Sequence, residues 1–413
     1  MEYNKKIITD LHNLEGKRVL LRCDFNVPLD KQTREITDYT RIDAALKTIK
    51  YLIDKKAKVI LLSHFSRIKS IDDVKSGKKS LIPVFDALKK KLPNVKIIFE
   101  KNNVDPSLLQ KINAMENGSI MLLENTRYND VNENGDVVKL ESKNDSQLGK
   151  FWASLGDIFI NDAFGTSHRS HASNVGISQN IGESALGFLV NDELVKLSKA
   201  INNPQKPVIA IFGGAKVSDK IPSIKNIGKL ADKILIGGGM AYTFLKAQGY
   251  EIGISLFEAD QLELTKQLLV EFKDKIVLPV DAVMAKTIDD ASGVTYDVGS
   301  FNPELEGVDI GEKSIKKFKE ILKNAKTVIW NGPLGVFENN AFSKGTLEIC
   351  KYIAEITKTN NCYSVIGGGD SAAAAVKFGV ANSFSHISTG GGASLEFFSG
   401  DVLPGINCIN NKN

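Results

Sequence analysis

Short apolar runs alternating with helical periods along the whole chain predict an α/β fold built on open parallel sheets. Three observations carry this. The runs are continuous rather than alternating, as in strands buried on both faces. They begin with Val19-Leu20-Leu21, Val59 to Leu62, Ile120 to Leu123 and Ile158-Phe159-Ile160, and go on through Val208 to Ile211 and Ile234-Leu235-Ile236 to Ile276-Val277-Leu278, Val328-Ile329-Trp330 and Val365-Ile366. Between them lie helical periods such as Ile42, Ala45, Leu46, Ile49 and Ile53, with Thr40 placed to cap. Finally, 413 residues exceed one ordinary core and suit two domains.

A boundary falls near the middle. A helical pattern over about 192–201 runs into Asn202-Asn203-Pro204-Gln205-Lys206-Pro207, where two prolines stop it before the strand at Val208. There is no sequence repeat and no low-complexity tract.

Composition excludes several classes of function. With 42% apolar and 25% charged residues, the chain has the balance of a globular enzyme. Lys and Arg number 53 against 49 Asp and Glu, so a nucleic-acid partner is not expected. The first 20 residues lack a signal-peptide core, and no apolar run reaches the ~18 residues of a membrane helix. Cys23, Cys350, Cys362 and Cys408 form no CxxC pair, which points to free thiols in the cytoplasm.

Ligands of open α/β sheets bind beyond the carboxyl ends of the strands, and here the two halves differ. The first half places Arg22-Cys23-Asp24-Phe25-Asn26, Ser63-His64-Phe65-Ser66-Arg67, Glu124-Asn125-Thr126-Arg127 and Asn161-Asp162 leading to His168-Arg169-Ser170-His171 after its strands, with Arg41 at a helix start. One such Arg is commonly a surface ion pair. Cations at four strand ends point instead to a pocket for a small, strongly anionic molecule.

In the second half the strand ends are glycine clusters: Gly213-Gly214-Ala215-Lys216, Gly237-Gly238-Gly239, Gly367-Gly368-Gly369-Asp370 and Gly390-Gly391-Gly392. Glycine lets backbone N–H groups approach phosphate, and a helix N-terminus favours negative charge. Lys216 and Lys220, four apart, would share one face of a helix. Asp370 is placed either to hold Mg2+ by one carboxylate or to cap the helix that follows it. The chain has no P-loop, no HRD or DFG, no GxSxG and no HExxH. Gly367, Gly369 and Ala372 fit GxGxxA but lack the acidic ribose partner of a dinucleotide site. No general base stands out. That agrees with transfer between an acyl phosphate and a nucleoside diphosphate, which moves no proton.

Seven strings in order resemble the phosphoglycerate kinase family over about residue 16 to Gly405: Arg22 to Asp30 (RCDFNVPLD), Leu122 to Tyr128 (LLENTRY), Asn161 to Ser173 (NDAFGTSHRSHAS), Gly213 to Ile221 (GGAKVSDKI), Asn331 to Glu338 (NGPLGVFE), Gly367 to Ser371 (GGGDS) and Ser388 to Phe397 (STGGGASLEF). The resemblance implies two Rossmann-like domains with parallel sheets facing across a cleft, joined by a hinge helix. Residues 1–185 with 400–413 would bind 3-phosphoglycerate, 186–203 would form the hinge helix and linker, and 204–399 would bind nucleotide. The implied activity is reversible phosphoryl transfer from 1,3-bisphosphoglycerate to ADP, with Mg2+, by a cytoplasmic monomer that closes on its substrates.

Carried over by position, the resemblance assigns 3-phosphoglycerate to Asp24, Asn26, Arg41, His64, Arg67, Arg127 and Arg169. Arg41, Lys216, Lys220, Gly391 and Gly392 would act on the transferring group. Gly213, Gly237 and Gly238 would shape the adenine pocket and Glu338 would hold the ribose. Asn331, Gly367, Gly368, Gly369 and Ser371 would line the rest of the nucleotide site, and Asp370 would serve the metal. One departure stands out: where the family reads SHLGRP this chain has Ser63 to Ile68 (SHFSRI), so the loop carrying Arg67 is expected to follow a different path. The competing readings are a related small-molecule kinase and a catalytically silent nucleotide-binding protein.

Overall fold

The computed structural model describes residues 3–412. They divide into two compact units, 3–194 with 402–412, and 195–401. The division falls inside one helix, Phe188–Ile201, which starts four residues before the helical pattern expected from the sequence.

The first unit holds a six-stranded sheet of β1 (Arg18–Arg22), β2 (Lys58–Leu62), β3 (Ile97–Glu100), β4 (Ile120–Leu123), β5 (Ile158–Asn161) and β6 (Glu183–Leu186). Its order is β3-β4-β2-β1-β5-β6 and every pairing is parallel. Val19, Leu21, Val59, Leu61, Ile120, Leu122, Ile158 and Ile160 face one side and pack with Ile42, Ala45, Ile49 and Leu52 of the helix Thr40–Asp54. Each such side chain contributes roughly 1.5–3 kcal/mol by leaving water. The intervening residues Leu20, Ile60, Met121 and Phe159 are equally buried, so both faces are covered and the runs carry no alternation.

The second unit repeats the plan with β7 (Val208–Phe212), β8 (Lys233–Ile236) and β9 (Ile276–Val277), then, after an insertion, β13 (Thr327–Asn331), β14 (Tyr363–Gly367) and β15 (His386–Ile387). The order is β15-β14-β13-β7-β8-β9, again all parallel. The insertion is a three-stranded antiparallel sheet of β10 (Asp281–Ala285), β11 (Val294–Asp297) and β12 (Glu306–Ile310). The sequence reading missed it: β11 is mostly exposed and β12 mixes polar with apolar residues, although β10 carries the short apolar run Ala282 to Ala285.

The segment from Val402 onward packs on the first unit. Asn161 Nδ2 donates to Gly405 O (2.6 Å), Gly405 N to Ser167 O (2.8 Å), and Ser184 N to Asn410 Oδ1 (2.6 Å).

At the end of β5 the buried Asp162 Oδ1 accepts from Leu189 N (2.9 Å) and Val190 N (3.2 Å), satisfying the N-terminus of the helix Phe188–Ile201. Its Oδ2 is buried without a partner, and burial raises the carboxyl pKa to about 7. The folded protein therefore holds a proton that the unfolded chain releases near pH 4. Stability linked to this group is complete at acid pH and is lost as pH rises toward 7. Asp162→Asn keeps an acceptor for the helix and removes the titration. Urea melts from pH 5 to pH 8 are expected to show the variant gaining on the wild type as pH rises, by at most ~1.4 kcal/mol per unit. A difference independent of pH would contradict it.

Candidate active site

In both sheets the chain runs outward from a central strand, then returns to that strand's other side. The carboxyl ends on either side of the reversal therefore splay into a crevice. In the first unit β1, β2, β4 and β5 end there, with Arg22 in register with Leu62 and Asn161.

Asp24 and Arg41 meet directly: Arg41 Nη1 lies 2.7 Å from both carboxylate oxygens. Arg41 sits in the first turn of its helix, where the dipole disfavours a cation, so Asp24 offsets an otherwise poor placement. The cap of this helix is not Thr40, as the sequence reading expected. Thr40 is its first residue, and Asp38 Oδ1 accepts from Thr40 N (2.8 Å) and Thr40 Oγ1 (2.6 Å).

The loop after β2 is tied to both neighbours. Ser66 N donates to Asn26 Oδ1 and Arg127 Nη1 to Ser66 O, each at 2.8 Å. Ser66 has φ 57°, a left-handed conformation that glycine adopts most cheaply. Ser66 thus occupies a turn that glycine would favour, at the cost of some strain. Ile68 is buried, and Arg67 stays exposed.

Arg127 is 7% exposed, and its Nε is buried without an acceptor. Burial first, then Arg22 beside it, lowers its pKa. The histidines respond to the same crowding of cations. His64 is held well below its usual range by burial and by Arg22, Arg127, His171 and Arg41. Burial and the neighbouring arginines bring His168 to about 4 and His171 to about 3. Arg169 is exposed and donates through Nε to His168 Nε2 at 3.1 Å. Cations and neutral donors are gathered here with few protein anions beside them, an arrangement able to hold an anion.

Sequence reasoning missed what lies beneath this rim. Arg22 is fully buried, not on the rim, and the buried Glu141, ahead of Asp24, offsets its charge. Glu141 sits in an irregular segment with no motif around it, so only the tertiary fold brings it in.

Two cavities of the second unit contain expected site residues. The larger, about 320 Å3, is mostly apolar, with Gly238, Gly239, Tyr242, Leu245, Leu256, Phe301, Pro333, Leu334 and Val336 in its wall and Glu338 and Asp370 among its polar residues. Glu306 to Ile310 of β12 form one side, so the unforeseen insertion builds the pocket. Gly213 and Gly237 shape it only indirectly. A Cβ on Gly213 would lie 2.1 Å from Pro333 O, and one on Gly237 2.5 Å from Leu334 Cδ2, so both glycines admit the loop that lines the cavity.

The smaller cavity, about 190 Å3, is lined by Lys220, Asn331, Gly368, Gly369, Asp370, Ser371, Gly391 and Gly392. The helices Gly369–Lys377 and Gly392–Ser399 both begin there. Their N-caps, Gly368 (φ 96°) and Gly391 (φ 46°), have backbone conformations that other residues rarely adopt. Lys220 Nζ donates to Asn331 Oδ1 (2.5 Å), leaving the buried Asn331 Nδ2 without a partner. Burial lowers the Lys220 pKa, while Asp219 and Asp370 oppose the shift. Ser371 is buried and serves the backbone, accepting from Gly332 N at 2.6 Å. Gly367 closes β14 against Phe398 and Ser394.

Two expectations need correction. Lys216 and Lys220 share no helix face, because 213–220 is loop and turn and the next helix starts at Ile221. Pro222 favours that late start. Lys216 is exposed and lines neither cavity. The loop is latched instead through Ser218, whose N and Oγ donate to Glu258 Oε2 (2.9 Å) and Oε1 (2.6 Å). Asp370 makes no capping bond: it lies in the first turn after Gly368, is exposed, and lines both cavities. No group of three or more His, Cys, Asp or Glu is arranged to hold a metal among the described residues. A single carboxylate beside a phosphate-sized cavity fits an ion such as Mg2+, which takes its other ligands from phosphate and water.

The phosphoglycerate kinase family model matches residues 8–401. The chain is 70% identical over 412 residues to the phosphoglycerate kinase of Malacoplasma penetrans, covering 100% of this chain and 88% of the relative. It is 53% identical to that of Mycoplasmoides gallisepticum, with both chains covered in full. Among solved structures, the phosphoglycerate kinase of Coxiella burnetii superposes with a TM-score of 0.83 at 38% identity, and that of Pyrococcus horikoshii OT3 with 0.80 at 30%, each covering 98% of both chains. Matches of this extent show that the chain belongs to the phosphoglycerate kinase family, phosphotransferases with a carboxyl group as acceptor.

Proposed function

We propose that the unit of residues 3–194 and 402–412 binds 3-phosphoglycerate or 1,3-bisphosphoglycerate, that residues 195–401 bind ADP or ATP with Mg2+, and that the helix Phe188–Ile201 is the hinge. The observation that carries the first assignment is Arg127: a buried guanidinium with an unpartnered Nε among neutral histidines calls for an anionic acceptor. Asn26, His64, Arg127 and Arg169 hold the substrate's phosphate and carboxylate, with Arg67 at the exposed edge. Asp24 orients Arg41. The larger cavity takes the adenine against its apolar wall, with Glu338 toward the ribose. The smaller takes phosphates, where Lys220, Asn331 and two helix N-termini offer donors.

The chemistry then needs no base. An ionised β-phosphate oxygen of ADP attacks the acyl phosphate and a carboxylate leaves, so the protein's work is alignment and charge neutralisation. Arg41, Lys220 and the N–H groups at Gly391 and Gly392 neutralise the transferring group, and Lys216 is assigned with them by its place in the family motif. Asp370 is the residue that holds Mg2+, which supplies neutralisation of the nucleotide phosphates. Four free thiols, three of them buried, support a cytoplasmic setting. We propose a monomer, as the family resemblance implies.

Arg41→Ala is expected to lower kcat by a factor of ~10²–10³ with a smaller rise in KM, because its charge acts mainly in the transition state. Arg41→Lys recovers part of it, lacking the planar fork. Steady-state kinetics with both substrates saturating, beside a thermal melt, read this, and a kcat within about twofold of wild type would remove Arg41 from the mechanism. For Asp370→Ala the KM for MgATP is expected to rise far more than that for 3-phosphoglycerate. Equal losses for the two substrates would refute the metal assignment.

A further inference from the structure

We propose that Glu141 is a positioning residue that fixes the tautomer of His64 through Ser173 and Arg22, so that the anion pocket meets its ligand with a histidine N–H rather than a lone pair. The proposal rests on reading this pocket as the 3-phosphoglycerate site, and it follows from the direction of each hydrogen bond in a buried chain.

A guanidinium can only donate. Arg22 Nη2 lies 3.2 Å from His64 Nδ1, so Nδ1 accepts and the ring proton of a neutral His64 belongs on Nε2. Arg22 Nε donates to Ser173 Oγ at 2.8 Å, so the serine accepts there and must send its own proton elsewhere. It goes to Glu141 Oε1. Glu141 also accepts from Ser173 N (2.9 Å) and Thr126 Oγ1 (3.1 Å). Burial raises the pKa of this carboxyl group, while Arg22 and the three converging donors oppose the shift and favour the ionised, acceptor-only form. Each link has one direction: the guanidinium fixes it at His64, and Glu141 with Ser173 holds the guanidinium where its Nη2 meets the ring.

Water cannot substitute for a member of the chain. Arg22, Glu141 and Ser173 are 0% exposed and His64 is 5% exposed. The groups facing His64 are Arg22, Arg127, His171 and Arg41, so its surroundings oppose a second ring proton. The groups around Glu141 are Arg22, Ser173, Thr126 and His171, whose Nδ1 is 3.9 Å away. With Nδ1 occupied by Arg22, a neutral His64 presents Nε2–H as its free polar atom. The opposite tautomer would turn a lone pair toward an anionic ligand and leave Arg22 facing an N–H. Glu141 thus acts through two intervening residues, Ser173 and Arg22, and touches no ligand itself.

Long-range 1H–15N spectra of the ligand-free protein at pH 7, with the His64 signals assigned through His64→Gln, test the chain directly. The expected result is a neutral Nε2–H ring; an Nδ1–H ring or an imidazolium overturns the proposal. Ser173→Ala breaks the chain while keeping the carboxylate, and Glu141→Gln removes its charge. In either variant His64 is expected to become a tautomer mixture. The KM for 3-phosphoglycerate should rise about tenfold, the order expected when one hydrogen bond to a charged group is weakened, with the KM for MgATP within about twofold of wild type. If Glu141→Gln does not fold, Ser173→Ala and the wild-type spectrum still decide. Both KM values moving together, or neither moving, would reduce Glu141 to a structural residue. Calorimetry of wild type with 3-phosphoglycerate separates this from an error in the site itself: no binding at all would sink the site, whatever the tautomer.

Discussion

A guanidinium withdrawn from water needs compensating charge close by, and the first unit is organised around that demand. Arg22 is fully enclosed at the end of the central strand β1. It can be there because the parallel register brings β2 and β5 to the same level and the polar segments beyond them converge. Glu141 meets the charge from below, through Ser173. Above it, Arg127 and the histidines are left short of acceptors. An uncompensated buried cation is costly in isolation and useful where an anion is to be bound, because the ligand then replaces no protein partner.

In the proposed reading, the second unit meets phosphate with backbone rather than side chains. Two helices begin at glycines beside one small cavity, so N–H groups and helix dipoles supply much of its positive potential. Lysine is used sparingly: Lys220 is tied to Asn331, while Lys216 rides on a loop fastened through Ser218 to Glu258. The neighbouring apolar cavity needs a wall that the parallel sheet does not provide, and the antiparallel insertion supplies it. The two units thus offer different chemistry on the same scaffold, side-chain cations in one and glycine-rich backbone in the other. An anion held through its charge and a nucleotide held through its base and phosphates call for that contrast.

What the sequence determined by itself were the features that depend on local chemistry. Continuous apolar runs mark strands covered on both faces, so β1, β2, β4, β5, β7, β8, β13 and β14 could all be read from it. Glycine clusters and cations after those runs mark the ligand ends of the sheets, and the motif strings led to the family the chain belongs to. The tertiary structure decided whatever depends on residues distant in the chain. β3, β6, β15 and the antiparallel insertion went unread: β3 and β10 carry short apolar runs of their own, while β6, β11, β12 and β15 are too short or too polar to announce themselves. The spacing of Lys216 and Lys220 fits a helix, yet the helix starts only at Ile221, in a loop held by Glu258 some 40 positions on. Arg22 reads as one more rim cation until the fold closes over it. Glu141 carries no local signal at all, and it matters because folding sets it against a strand end 119 residues earlier (141 minus 22).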